Sequence, residues 1–113
     1  MRLERELVGD RLVVRVEGDL DVRSAEAFRR SVDEWLEATR ARSLIVNLAA
    51  AGFVDSTGLG ALLGRYRKLQ AARRTMVLVA PPAGTLAVLE LAGIPGLMPI
   101  VASEAEALEV AVG

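Results

Sequence analysis

Apolar and charged residues alternate along the start of the chain in the pattern of two strands joined by a tight turn. Residues 11–17 show the two-residue period of a half-buried strand, broken on its polar side by Val13. Residues 3–7 alternate less cleanly, and Gly9-Asp10 separates the two runs. Because glycine tolerates a positive φ at the first central position, this dipeptide predicts a type II′ hairpin turn.

The rest of the chain predicts helices that alternate with short apolar strands. We expect the Ser24 hydroxyl to cap the first helix, whose apolar stripe contains Trp35. Gly93 is expected to end the third helix, and Ser103 with Glu106 forms an S-x-x-E capping box for the fourth. The predicted helices are 24–37, 56–73, 81–93 and 103–112, and the predicted strands between them are 43–48, 75–80 and 97–101.

This alternation predicts the fold class. Strands joined through helices form βαβ units with a parallel sheet, which is joined here to the N-terminal antiparallel hairpin. We therefore expect a single α/β domain over residues 1–113, with a mixed sheet of four to five strands and about four helices. The segments 18–21 and 49–52 are expected to be loops.

The composition excludes several classes of protein. With 52% apolar residues and a net charge of −1, the chain is too apolar for a disordered protein and lacks the basic excess of a nucleic-acid binder. It has no cysteine and no histidine, which excludes Cys/His zinc sites, cysteine nucleophiles and Ser-His-Asp catalysis. The first residues lack the apolar core of a signal peptide, and no apolar run reaches the roughly 20 residues of a membrane span. We expect a cytoplasmic domain that does not bind membranes.

Three glycines interrupt the second predicted helix, at positions 58, 60 and 64. Each interior glycine costs a helix about 1 kcal/mol relative to alanine, so helix stability does not explain them. One interpretation is close packing of the helix against the protein's own sheet. The other is a flat docking surface for a second protein, which we favour for Gly58 and Gly60 at the exposed entrance of the helix.

Ser56 stands at the start of the same helix, where its hydroxyl or the carboxylate of Asp55 would act as the cap. The position also lies beside free backbone N–H groups and the positive end of the helix dipole, so the helix would tolerate a phosphate there. A phosphate adds bulk and nearly two negative charges next to Asp55. Phosphorylation of Ser56 would therefore block a flat protein contact without unfolding the domain.

Other functions of this segment remain open at this point. A nucleotide-binding protein would use the glycine-rich helix entrance, but the G-x-G-x-x-G spacing is off by one position and no P-loop Gly-Lys-Ser/Thr is present. A hydrolase with Ser56 as its nucleophile would lack a histidine base. The basic residues from Arg65 to Arg74 are interpreted as a solvated helix face, with charge complementarity to an acidic partner as the alternative.

Residues 53–69, F-V-D-S-T-G-L-G-A-L-L-G-R-Y-R-K-L, resemble the signature of STAS domains, and in particular of the bacterial anti-sigma-factor antagonists. The D-S-[ST]-G-L-G core and the G-R-Y continuation are similar to the sporulation-type antagonists. Residues 18–21 resemble the family's G-E-L-D loop, residues 44–48 its third strand and residues 91–94 its late helix end. The resemblance covers essentially the whole chain and implies a mixed sheet with helices mainly on one side.

The resemblance implies a partner-switching regulator and not an enzyme. Such antagonists bind an anti-sigma factor that is also a serine kinase, and so release a sigma factor. The kinase uses ATP to phosphorylate the family serine, which matches Ser56, and a serine phosphatase reverses the loss of binding that follows. The protein itself would need no cofactor or metal. The implied partner-binding residues are Asp19, Asp21, Asp55, Ser56, Thr57, Gly58, Leu59 and Gly60.

Related STAS domains serve in other settings, which supply the alternatives. They occur in stress-signalling assemblies, in lipid-transport complexes and as tails of anion transporters. The G-R-Y match at residues 64–66 favours the soluble antagonist. Thr57 is a second hydroxyl beside Ser56 that is also open to modification.

Overall fold

The chain begins with an antiparallel hairpin in the computed structural model, which describes residues 1–111. β1 (Arg2–Val8) pairs with β2 (Arg11–Leu20), and Gly9 in the turn between them has a φ of +64°. A positive φ is the conformation for which glycine suits this turn. Because β2 runs through Leu20, most of the segment 18–21 is strand and not the expected loop.

The remaining elements follow the predicted alternation, with one additional strand. That strand is β4 (Ala51–Val54), which pairs in parallel with the end of β2 at Gly18 and Leu20, so the loop expected at 49–52 is partly strand. The elements after β2 are α1 (Ala25–Thr39), β3 (Ser43–Asn47), β4, α2 (Ser56–Ala71), β5 (Thr75–Val79), α3 (Ala83–Leu91), a 3₁₀ turn (Ile94–Gly96), β6 (Ile100–Val101) and α4 (Glu104–Val110).

The strands form one mixed sheet in the order β1-β2-β3-β5-β6, with β4 attached to β2. Only the β1–β2 pair is antiparallel among the pairs in the described part of the chain. The predicted α/β fold with a mixed sheet is confirmed, with six strands where four to five were expected. β6 is an edge strand as predicted. It begins only at Ile100, after Pro99, which has no N–H to donate to a neighbouring strand.

Helices lie mainly on one side of the sheet, as expected. Phe28 of α1, Leu62 of α2 and Leu89 of α3 all belong to the larger core, together with the side chains of β2 at positions 12, 14 and 16. The intervening Val13 points to the opposite face, where Ala107 of α4 packs against it in a smaller core. This alternation along β2 assigns three helices to one face of the sheet and α4 to the other.

Of the three residues predicted to begin or end a helix, two have the expected role and one does not. The expected cap by Ser24 is wrong, because its hydroxyl is engaged with the backbone N–H of Asp21 at 3.0 Å and makes no cap hydrogen bond to α1. Gly93 follows α3 with a φ of +77°, as expected for a glycine that ends a helix. Ser103 caps α4 by accepting a hydrogen bond from the N–H of Glu106 at 3.2 Å, as predicted.

Three of the helices are shorter than predicted, among them α3, which spans Ala83–Leu91 within the predicted 81–93. α2 ends at Ala71, before the expected residue 73, and α4 ends at Val110. Residue 112, the expected end of the fourth helix, lies outside the described residues. Trp35 is half-buried against the larger core, as its place in the apolar stripe indicates.

Candidate functional site

The start of α2 lies beside the connection between β2 and α1, because β4 leads into α2 and pairs with the end of β2. Asp55 joins the two segments. Its Oδ1 accepts a hydrogen bond from the backbone N–H of Gly58 at 2.8 Å, and its Oδ2 accepts one from the N–H of Val22 at 3.0 Å. Asp55 is therefore the cap of α2, one of the two residues that the sequence offered for this role.

Ser56 is the first residue of α2 and is exposed to solvent. Because Asp55 supplies the capping oxygen, the cap does not depend on the Ser56 hydroxyl. The position lies at the positive end of a 16-residue helix, among the N–H groups of its first turn, and this environment favours an added negative charge. A phosphate on Ser56 is therefore compatible with the capped helix.

The residues that follow Ser56 differ in exposure. Gly60 is exposed, Thr57 is partly buried, and Leu59 packs against the larger core. A Cβ atom added at Gly60 or at Gly64 would meet no other atom within 4 Å. The open helix surface that the glycine pattern suggested is therefore present at Gly60, whereas Leu59 contributes to the core.

Gly58 lies in a different environment, and the expectation that it is exposed at the helix entrance is wrong. It is buried, and a Cβ atom added to it would collide with the backbone carbonyl of Leu20 in β2. Close packing against the protein's own sheet explains this glycine. Gly58 therefore lets the start of α2 approach β2 and presents little surface to a partner.

Asp19 and Asp21 hold the backbone around the helix entrance. Asp19 Oδ1 accepts a hydrogen bond from the N–H of Phe53 at 2.9 Å. Asp21 is buried, and its two carboxylate oxygens accept from the N–H of Arg23 at 2.9 Å and from the Arg23 guanidinium at 3.0 Å. The hydrogen bond from the Arg23 side chain lowers the pKa of Asp21. Asp21 thus positions the connection between β2 and α1 and is not an exposed docking side chain.

Two apolar side chains that were not among the predicted site residues flank the helix entrance. Val22 is 69% exposed and Phe53 is 57% exposed. The Val22 N–H binds Asp55, and Phe53 lies three positions before Ser56 in the chain. No strand was predicted at residues 51–54, and the residues around Phe53 carry no local signal that its ring faces solvent.

The basic run after the site is not the uniformly solvated helix face that was expected. Arg65 is only 4% exposed, and its Nε lies 2.9 Å from Oδ1 of Asp33 in α1. Burial lowers the pKa of Arg65, and the negative charge of Asp33 opposes this effect. Lys68 pairs with the other oxygen of Asp33 at 2.9 Å, so this part of the run fastens α2 to α1. Arg67 and Arg73 are exposed, as expected.

Within residues 1–111, no group of three or more His, Cys, Asp or Glu side chains is arranged to hold a metal ion. None of the four helices described above combines the length and the apolar character that crossing a bilayer requires.

Comparison with known proteins matches nearly the whole chain to one family. Residues 2–107 match the family model of the STAS domain. The anti-sigma F factor antagonist of Paenibacillus polymyxa is 33% identical over 99 residues, which are 86% of this chain and 83% of that protein. The relationship therefore covers the sheet, α2 and the candidate site together.

Solved structures agree with this match. Unphosphorylated SpoIIAA, an anti-sigma factor antagonist, is 28% identical with a TM-score of 0.76, covering 96% of each chain. The phosphorylated form of SpoIIAA, described as a Bacillus cell fate determinant, has a TM-score of 0.77, covering 96% of this chain and 97% of that chain at 28% identity. A Thermotoga maritima protein has a TM-score of 0.91 at 19% identity, covering 96% and 93% of the two chains, and so shares the fold.

Proposed function

Since this chain belongs to the STAS-domain family, we propose that it is an anti-sigma factor antagonist that binds an anti-sigma factor through the entrance of α2 and releases it when Ser56 is phosphorylated. The role is regulatory and not catalytic. The observation that carries the proposal is the division of roles at the helix start, where Asp55 forms the cap and Ser56 is left exposed beside it. The similarity to SpoIIAA, whose structure is known in unphosphorylated and phosphorylated forms, supports the same conclusion.

The unphosphorylated surface suits a flat protein contact. Exposed Ser56 and Gly60 lie on α2, and exposed apolar side chains are present at Val22, whose N–H binds Asp55, and at Phe53 in the strand before α2. A partner that covers this area removes apolar surface from water, and the small residues at 56 and 60 let it approach the helix closely.

Phosphorylation would change the partner contact while leaving the helix capped. The phosphate adds nearly two negative charges and bulk at a point that the partner must cover. Burying such a group without a cationic counterpart is strongly unfavourable, so the complex dissociates. The helix dipole and the first-turn N–H groups stabilise the phosphate in the free protein, which favours the dissociated state further.

The chemistry of the transfer belongs to the partner. The Ser56 oxygen attacks the γ-phosphorus of ATP, the bond from that phosphorus to the bridging oxygen breaks, ADP leaves, and a base of the kinase takes the hydroxyl proton. This chain supplies only the hydroxyl, in keeping with its lack of histidine. A serine phosphatase would hydrolyse the phosphoester and restore binding. Because sigma factors act in transcription, we place the protein in the cytoplasm.

The test uses the purified protein and each anti-sigma factor of the organism that supplies this chain. Isothermal titration of wild type, S56A and S56D measures binding, and mass spectrometry after incubation with ATP maps the phosphate. We expect wild type and S56A to bind with similar affinity and S56D to bind at least about tenfold more weakly. We also expect phosphate on Ser56 in wild type and none in S56A.

The neighbouring hydroxyl provides a matched control. T57V removes the Thr57 hydroxyl and leaves Ser56 in place, so it should still be phosphorylated, with the phosphate on Ser56. Binding of S56D with wild-type affinity would contradict the switch, and failure of every anti-sigma factor to bind the wild-type protein would contradict the function itself.

A further inference from the structure

α3 lies within a long segment that is almost free of charge. Residues 75–103 contain one charged side chain, Glu90. The buried residues of α3 are Thr85 and Leu89, so most of the helix faces away from the core. Its outward residues include Ala87, Val88 and Leu91. A helix with so few polar side chains is normally covered on most of its sides, whereas α3 lies on the surface.

Leu91 is the clearest case of an uncovered side chain. It is 90% exposed, and Val88 is 40% exposed one turn earlier in the helix. By contrast, α1 places charged side chains at its exposed positions, among them Glu26, Arg30 and Glu34. A single exposed leucine is common on protein surfaces, whereas a contiguous apolar surface indicates a site of protein contact.

This apolar surface is continuous with the entrance of α2. Phe53 of β4 and Val88 of α3 line the same surface depression, together with Gly84. Phe53 is three positions before Ser56, in the strand that leads into α2. Exposed apolar side chains therefore continue from Phe53 in β4, the strand that leads into α2, to Val88 of α3, and Leu91 follows one turn later in that helix.

The size of a stable protein contact gives a reason to join the two areas. A specific complex buries about 800 Å² on each partner, which corresponds to about 20–30 residues. The first turns of α2 supply only a few exposed residues, and Asp21 and Gly58 beside them are buried. The adjoining surface formed by Phe53 and α3 has a single charged side chain, Glu90, so few charges would lose their hydration when a partner covers it.

We propose that the outer face of α3, through Val88 and Leu91, is the second half of the docking surface for the anti-sigma factor. This inference rests on the proposed function. The partner is expected to present an uncharged apolar patch opposite α3, next to the part that receives Ser56. Phosphorylation then disrupts one half of the contact, while α3 contributes affinity that does not depend on the phosphate.

The experiment compares two exposed leucines. L91Q removes apolar character at the end of α3, and L7Q makes the same change in β1, where Leu7 is 50% exposed. Leu7 pairs with Leu12 near the start of β2, whereas β4 pairs with the end of β2, so the control lies away from the docking surface. Titration with the anti-sigma factor that binds wild type should show at least about tenfold weaker binding by L91Q and a change within about twofold for L7Q. The thermal midpoint of L91Q should match that of wild type, since its side chain makes little contact with the core.

The outcomes separate this inference from the proposed function. Wild-type affinity of L91Q, alongside weak binding by S56D, would overturn the role of α3 and leave the function intact. Loss of dimers in L91Q by analytical ultracentrifugation, with unchanged partner binding, would assign α3 to self-association and also overturn it. Failure of every anti-sigma factor to bind wild type would remove both proposals.

Discussion

The Oδ2 atom of Asp55 accepts a hydrogen bond of 3.0 Å from the backbone N–H of Val22, which lies 33 positions earlier in the chain. The same carboxylate caps α2 through Gly58. One side chain therefore fixes both the entrance of the helix and the connection between β2 and α1. The relative position of exposed Ser56 and exposed Val22 depends on this carboxylate.

Replacing Asp55 with alanine tests this role. D55A removes the cap and the bond to Val22, and we expect the free energy of unfolding to fall by about 1–2 kcal/mol. Amide hydrogen exchange measured by NMR should become faster at Val22 and Gly58, because both N–H groups lose their acceptor. S103A is a matched control, since it removes the cap of α4 and should leave exchange at Val22 unchanged. Unchanged exchange at Val22 in D55A would contradict the proposed connection.

The two glycines at 58 and 60 should respond in opposite ways to the same substitution. G58A places a methyl group against the carbonyl of Leu20, so we expect the free energy of unfolding to fall by about 1–3 kcal/mol despite the better helix propensity of alanine. G60A meets open space and should raise it by about 0.5–1 kcal/mol. Urea unfolding followed by circular dichroism measures both, and a stabilised G58A would show that the packing against β2 is not tight.

Glu104 should make the stability of the domain depend on acidic pH. Hydrogen bonds from Arg15, at 2.7 and 2.8 Å, lower the pKa of Glu104 below its ordinary value of 4.5, and a hydrogen bond from Asn47 acts in the same direction. Because the folded-state pKa is the lower one, the stabilisation is fully present above pH 4.5 and is lost as the pH falls through the folded-state value. The hydrogen bonds that the Glu104 carboxylate accepts contribute about 1–2 kcal/mol to the free energy of unfolding.

Urea unfolding of E104Q between pH 7 and pH 3 checks this dependence. The variant should be less stable than wild type at pH 7, and the difference should shrink as the solution becomes acidic. E106Q changes an exposed carboxylate in the same turn of α4 and serves as the control. A constant difference between E104Q and wild type at all pH values would argue against a role for the Glu104 charge.

The local patterns predicted most of the fold. The alternation in residues 11–17 and the apolar stripes of the helices reflect short-range periodicity, and the structure confirms the hairpin and the four helices. β4 escaped prediction because its four residues are too few to show a period and its partner, the end of β2, is distant in the chain. Ser24 has the residue type of a cap, but its hydroxyl binds the turn that precedes α1.

The candidate site was predicted only in part, for a similar reason. The exposed start of α2 follows from the residues at 55, 56 and 60, which lie close together in the sequence. The burial of Gly58 depends on Leu20, and the burial of Arg65 depends on Asp33 in another helix. Phe53 is exposed in β4, a strand that the sequence did not predict. Contacts between residues that are distant in the chain leave no pattern in the local sequence.

The attachment of β4 to β2 has a consequence for the speed of regulation. Ser56 lies at the start of a capped helix that follows a paired strand, so the proposed phosphorylation would demand no rearrangement of this chain. The domain would carry the phosphate without changing its own fold. How quickly a cell responds would then be set by kinase turnover, phosphatase turnover and dissociation of the complex, and no slow conformational step of the antagonist would add to the delay.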